Sequence, residues 1–186
     1  MYEVMNIMNY NKVFNNDGTQ IRIGEVRFSF LRIQEKNESG KYTTAVIIPN
    51  SNKESLKLIN DAVQAAVKRG AEQKWKGKVP ANLHLPLHDG DLEKPDDPAC
   101  EDAQYLNASN TYQPKAYVLD DGDMYPAEED QIYSGCYGAV CLSFYPYDTN
   151  GNRGIGVSLG NIIKTRDGEP LGGSAQSGET SFGDLV

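Results

Sequence analysis

The segment IYSGCYGAVCLSFYPY (132–147), followed by DTNGN (148–152) and RGIGVSL (153–159), decides the reading of this chain. Val140, Leu142 and Phe144 alternate with polar or small residues, which predicts a strand with one apolar face. The opposite face carries Tyr137, Ala139, Cys141, Ser143, Tyr145 and, past Pro146, Tyr147. Asn150-Gly151 favours a tight turn with positive φ, so a second strand folds back from Arg153 to Leu159. A strand pair with tyrosines outside and an arginine at its lip is either a platform on which planar groups stack or an ordinary aromatic-rich sheet.

Working outward, Ile21–Gln34 predicts a strand with Val26, Phe28 and Phe30 on one face and Arg27, Ser29, Leu31 and Ile33 on the other. Lys41–Ile48 predicts its antiparallel neighbour. Ser51–Lys76 predicts the one strong helix, capped by Ser51 with Glu54 completing a capping box. Leu56, Ile59, Val63, Ala66 and Val67 recur at helical spacing, and Lys68, Arg69, Lys74, Lys76 and Lys78 load the end with charge that suits the helix dipole. Residues 79–99 are long, proline-rich and irregular, a pattern that goes with wrapping the fold or carrying function. Ala103–Asn110 and Gln113–Leu119 read as short strands, and Asp120–Asp123 as an acidic turn. Residues 1–20 read as a loosely held arm, and 174–186 as a flexible, weakly acidic tail.

The pattern predicts a mainly β domain over 21–173, an OB-like antiparallel barrel with one inserted helix; a β-sandwich fits the same strand count. At 186 residues the chain is long enough for a real core. No apolar run approaches a membrane span, and no basic-then-apolar leader opens the chain. Cys100, Cys136 and Cys141 lack zinc-ligand spacing and read as free thiols of a reducing cytosol. Net charge is −8, but its distribution is uneven: residues 1–81 hold 13 Lys/Arg and 8 Asp/Glu, residues 82–186 only 5 and 18. One part of the surface can be basic while the whole is acidic.

The segments VRFSF (26–30), PLHDGD (86–91), EKPDD (93–97), YSGCYG (133–138), NGNRGI (150–155) and RDGEPLGG (166–173) occur in this order. The set, with Tyr42 to Pro49 and Phe144-Tyr145, resembles a bacteriophage and prophage family of single-stranded-DNA-binding proteins over nearly the whole ordered chain. The resemblance implies an OB fold, sequence-independent single-strand binding in replication or recombination, a bacterial host's cytoplasm, and a flexible acidic tail. The tail departs from that pattern, since the last fifteen residues carry only Glu179 and Asp184 as acidic side chains, with Phe182 between them. Those three residues are the candidates for meeting phage or host replication proteins.

Single-strand binding needs cations that track phosphates and exposed rings on which bases stack, and no rigid motif. The candidates are Arg27, Arg32, Lys41, Tyr42, Trp75, Tyr105, Lys115, Tyr137, Tyr145, Tyr147 and Arg153, with Tyr112 nearby in the middle strands. Trp75 has a second reading, docking the helix end on the sheet. Phe28, Val140, Leu142 and Phe144 are assigned to the core. Eleven tyrosines against five phenylalanines favour rings with one wet end. The expected protein is not an enzyme, uses no cofactor or metal, and is compatible with a homo-oligomer. Two rivals stay open: a metal-dependent nuclease built on His88, Asp89 and Asp91, and an accessory phage protein whose sheet edge binds protein.

Overall fold

The computed structural model describes residues 9–172; the tail candidates Glu179, Phe182 and Asp184 lie outside them. The strands are β1 (Lys12–Val13), β2 (Gln20–Arg32), β3 (Tyr42–Pro49), β4 (His88–Asp89), β5 (Ala103–Asn110), β6 (Ala116–Asp120), β7 (Asp123–Pro126), β8 (Tyr137–Thr149) and β9 (Asn152–Arg166). Helix α1 (Lys53–Gln73) separates β3 from β5, and a single turn, α2 (Gly90–Glu93), follows β4.

The β8–β9 hairpin is the longest pairing. Thr149 faces Asn152 across Asn150 and Gly151, whose φ values of 51° and 86° make the expected tight turn. The return strand runs on to Arg166, past the expected end at Leu159. On its other edge β8 pairs antiparallel with β2, β2 with β3, and β3 with β5. A parallel pairing of β5 with β9 at Ser109 and Ser158 completes the circle. Five strands therefore close on themselves, which selects the OB-like barrel over the sandwich.

Closing the barrel bends β2, and the bends correct the expected faces. Register shifts at Ile23/Val26 and at Ser29/Arg32, with Glu25 at φ 55° and Phe30 at φ 47°. Each shift is a bulge: one extra residue breaks the alternation. Val26 and Phe28 point into the core, but Phe30 is thrown outward, 69% exposed, and Ile33 takes the inner position.

Helix α1 begins two residues later than expected. Its cap is Asn52, which accepts a bond from the Ser55 amide at 3.3 Å. Leu56, Ile59, Ala62, Val63 and Ala66 join one core with Ile21, Phe28, Val140, Leu142 and Phe144. Burial of each large apolar side chain contributes about 1.5–3 kcal/mol. The last turn holds no basic residue; Arg69 instead pairs with Asp17, while Lys74, Lys76 and Lys78 follow the helix. Trp75 is 4% exposed, packs over Gly70 against the Pro146 side, and donates its indole N–H to the Tyr147 carbonyl at 3.4 Å. It docks the helix end, and burial removes it from the candidate stacking rings.

Residue 9 onward of the N-terminal arm lies against β2, with Lys12 and Val13 opposite Arg22 and Ile21. The acidic turn joins β6 to β7 through Asp121 and Gly122, both at positive φ, and this hairpin attaches to β9 by parallel pairing. Cys100 and Cys136 are buried and Cys141 half-buried, all unpaired; burial pushes each thiol pKa up.

The two segments that carry the family resemblance most specifically lock onto each other. Arg27 donates to the carbonyls of Gly135 at 3.1 Å and Glu169 at 2.8 Å. The Leu171 amide donates to the Ser134 carbonyl at 2.8 Å. Gly135 has φ 112°, and a Cβ there would overlap the Glu169 carbonyl. The Tyr133 hydroxyl and the Lys164 ammonium each reach Asp167 at 2.8 Å and hold its carboxyl below the ordinary value, Lys164 having the larger effect.

Replacing Trp75 with Ala is expected to cost about 3–5 kcal/mol of stability in urea denaturation followed by circular dichroism; a loss below 1 kcal/mol would mean the indole is not packed. Because the Asp167 pKa is depressed on folding, its contribution is present above the ordinary carboxylate range and fades as pH falls through the folded value. Carboxyl NMR should place its midpoint below that of an ordinary aspartate. Lys164→Met should move it back up, and an unmoved midpoint would show that the pair does not form.

Candidate nucleic-acid interface

The outer face of the barrel is bare where β9 passes under two tyrosines. Tyr147 stands opposite Gly154, and Tyr145 opposite Gly156. A Cβ at either glycine would run into the ring and hydroxyl of its tyrosine, so the rings lie across β9 on exposed backbone. Any larger residue would lift them. Tyr145 remains 42% exposed. Residues 83–88 are strapped beside these rings: the His84 amide donates to the Arg153 carbonyl at 3.0 Å, and the Ile155 amide to the His84 carbonyl at 2.9 Å. Strap, tyrosines and glycine floor enclose an open cleft of about 690 Å³.

The floor continues over β5 and β3. Asn107 and Ser109 border this cleft and also a smaller one lined by Phe30, Thr43 and Ala45. In register, Asn107 faces Ala45 and Ser109 faces Thr43. The two clefts form one trough, floored by small or polar side chains, with Tyr145 and Tyr147 at one end and Phe30 at the other. Phe30 owes its place to the bulge in β2. A phenylalanine in left-handed backbone conformation is an outlier, held where the barrel bends.

One wall is built by the long segment before β5. Tyr105 is buried; its ring stacks on His88 with centroids 5.1 Å apart. Its hydroxyl donates to Glu93 at 3.1 Å, and burial, then that bond, raises its pKa. His88 Nδ1 lies 2.8 Å from the same carboxylate. The Lys94 ammonium sits 5.0 Å from the Phe30 centroid and 4.3 Å from that of Tyr105, bridging wall and floor. Asp89, Asp91 and Asp97 of this segment serve the backbone, Asp97 accepting from the Ala99 amide. Asp89 caps α2 through the Asp91 and Leu92 amides, and Asp91 accepts from the Asp102 amide. Among the described residues no group of three or more His, Cys, Asp or Glu is arranged to hold a metal ion.

The sequence candidates thus divide. Tyr145 and Tyr147 come together in the trough, with Tyr105 behind its wall. Arg153 is exposed at the lip and paired with Asp148 at 2.9 Å. Arg32, Lys41 and Tyr42 gather at the β2–β3 connection, where Lys36 covers the Tyr42 ring at 5.8 Å. Lys115 is exposed beside β6, its amide held by Asn161. Arg27 and Tyr137 lie elsewhere, on the outer face of β2 and β8. Sequence reasoning missed Phe30 and Lys94. One signal for Phe30 was present: Phe28 and Ile33, both apolar, are separated by an odd number of positions, so both can face the core only if the strand bulges.

A sequence model of the family described as the single-stranded-DNA-binding protein of Enterobacter phage Enc34 matches residues 19–185. Putative protein p50 of Acyrthosiphon pisum secondary endosymbiont phage 1 is 29% identical over 182 residues, covering 89% of this chain and 94% of that protein. Among solved structures, the single-stranded DNA-binding protein of bacteriophage Enc34 in complex with single-stranded DNA superposes with a TM-score of 0.74 at 21% identity, over 89% of this chain and 95% of that one. The single-stranded DNA-binding protein gp2.5 of bacteriophage T7 gives 0.54 at 13% identity, over 90% and 94%. Both share this barrel.

Proposed function

The chain belongs to the Enterobacter phage Enc34 single-stranded-DNA-binding protein family, and on that premise we propose that it binds single-stranded DNA without sequence preference. It acts as a non-enzymatic cover for strands laid bare while phage DNA is replicated or recombined inside the host cell. The observation that carries the reading is the continuous trough with Phe30, Tyr145 and Tyr147 over a floor almost free of large side chains.

The chemistry follows from those parts. Every base has a flat apolar face, so stacking on phenylalanine and tyrosine does not discriminate sequence and contributes about 1–3 kcal/mol per base. Lys94 stands within reach of a strand in the trough, and Lys36, Lys41, Arg32 and Arg153 stand at its ends, where phosphates displace bound counterions. The net charge of −8, concentrated in the second half of the chain, disfavours binding along the acidic parts of the surface. A rigid duplex keeps its bases stacked on one another and presents no free faces to the rings. The carboxylates at 89 and 91 are committed to amides, which leaves the nuclease reading without support from geometry.

The test is fluorescence anisotropy with labelled oligo-dT, duplex competitor and two salt concentrations. Tight binding that falls with salt and that duplex fails to displace is expected, and no binding at low salt sinks the proposal. Phe30→Ala and Tyr145→Ala should each weaken binding by about 1–3 kcal/mol. Lys94→Gln should reduce the slope of log K against log salt by about 0.7. Since Trp75, the single tryptophan, is 4% exposed beneath the trough, no base can stack on it, and saturating oligo-dT should leave its emission unquenched; strong quenching of the kind that base stacking gives would return the indole to the interface.

A further inference from the structure

Two rows of cations cross the outer face of β1, β2 and β8, away from the trough floor of β3, β5 and β9. In the first, Lys12 stands directly opposite Arg22, which stands opposite Cys141. In the second, Arg27 stands opposite Tyr137, which stands opposite Arg166. Each row brackets a ring. Phe14, 47% exposed, has the Lys12 ammonium 5.2 Å and the Arg22 guanidinium 5.8 Å from its centroid. Tyr137 has the Arg27 guanidinium at 5.1 Å and that of Arg166 at 3.6 Å. Cys141 and Tyr137 are four residues apart on β8, so the rows lie roughly 13 Å apart.

Like charges placed opposite one another on neighbouring strands destabilise a sheet. Lys12 facing Arg22 is such a pair. Among the described residues none of the four cations forms an ion pair with a carboxylate; Arg22 and Arg27 bond only to backbone carbonyls. Two carboxylates beside this face are paired, and both with other cations: Asp17 with Arg69 and Asp167 with Lys164. Four positive charges without an ion-pair partner, with Glu25 between Arg22 and Arg27 on β2, stand on one face of a chain whose net charge is −8, and they offer a site for an external polyanion. Rings bracketed by cations specify it further. A phosphate chain alone would need no rings, whereas a single strand supplies alternating phosphates and free base faces.

We propose that this face is a second binding surface for single-stranded DNA, so that one chain holds two separate segments, one in the trough and one across the Phe14 and Tyr137 rows. The proposal rests on the reading of the chain as a single-strand binder. Two strands held on one small barrel are brought within reach of each other, the arrangement that pairing of complementary strands requires.

Native mass spectrometry with dT8 counts strands per chain directly, whatever the oligomeric state. The wild-type protein is expected to carry two dT8 per chain at saturation. The double variant Phe14→Ser with Arg166→Gln alters only exposed side chains and should carry one, with its remaining affinity within twofold of the wild-type trough site. Phe30→Ala should weaken the other site at least fivefold and spare this one. A wild-type protein saturating at one strand per chain, with affinity reduced by Phe30→Ala and untouched by the double variant, overturns the second surface and leaves the trough. Binding lost in the double variant but intact in Phe30→Ala overturns the trough instead. Two strands retained by the double variant also overturn the assignment to this face.

Discussion

The structure depends on β2 pairing along both edges while bending through the barrel wall. It meets β3 on one side and β8 on the other, and a regular strand cannot satisfy both ladders around so tight a circle. Two extra residues, Glu25 and Phe30, relieve the conflict by adopting left-handed backbone conformations. Each bulge leaves one residue out of the alternation. At the second the expelled residue is aromatic, so the device that closes the barrel also places a ring on its outer face. Barrel closure and the trough's far end are one feature of the backbone.

The tyrosine end of the trough arises from the opposite economy, an absence of side chains. Gly154 and Gly156 leave β9 bare, and the rings of Tyr147 and Tyr145 settle across the exposed backbone, where a glycine in a strand lets another group approach closely. The cost of glycine in a strand is offset by the aromatic cover and by the strap at His84. The result is a pair of rings fixed by a rigid hairpin.

Charge is handled by segregation. The acidic residues concentrate in the second half of the chain, at the turn from Asp120 to Asp123 and at Glu128 to Asp130, all exposed. The cations fall mainly in the first half: Lys12, Arg22 and Arg27 on the β1–β2–β8 face, Arg32, Lys36 and Lys41 at the β2–β3 connection, and the other seven on α1 or just after it. The acidic stretches from Asp120 to Asp123 and from Glu128 to Asp130 repel a polyanion from that part of the surface. The lock of YSGCYG on RDGEPLGG through Arg27 fixes where the chain leaves the barrel after β9.

The sequence by itself determined the elements whose physics is local. Alternation around Phe28 and Phe144, the Asn150-Gly151 turn, and the helical spacing from Leu56 to Ala66 each act within a few residues, and each was legible there. So was the asymmetry of charge, and the family resemblance carried the single-strand reading. Tertiary structure alone decided what depends on partners distant in the chain. The choice of barrel over sandwich needed the pairing of Ser109 with Ser158. The outward turn of Phe30 needed the curvature that this closure imposes. The burial of Trp75 needed Pro146 and Tyr147 beneath it, and the separation of Tyr137 from Tyr145 needed β9 to carry glycines under one and Arg166 beside the other. Period two tells which residues share a face, but only the closed sheet says what each face meets.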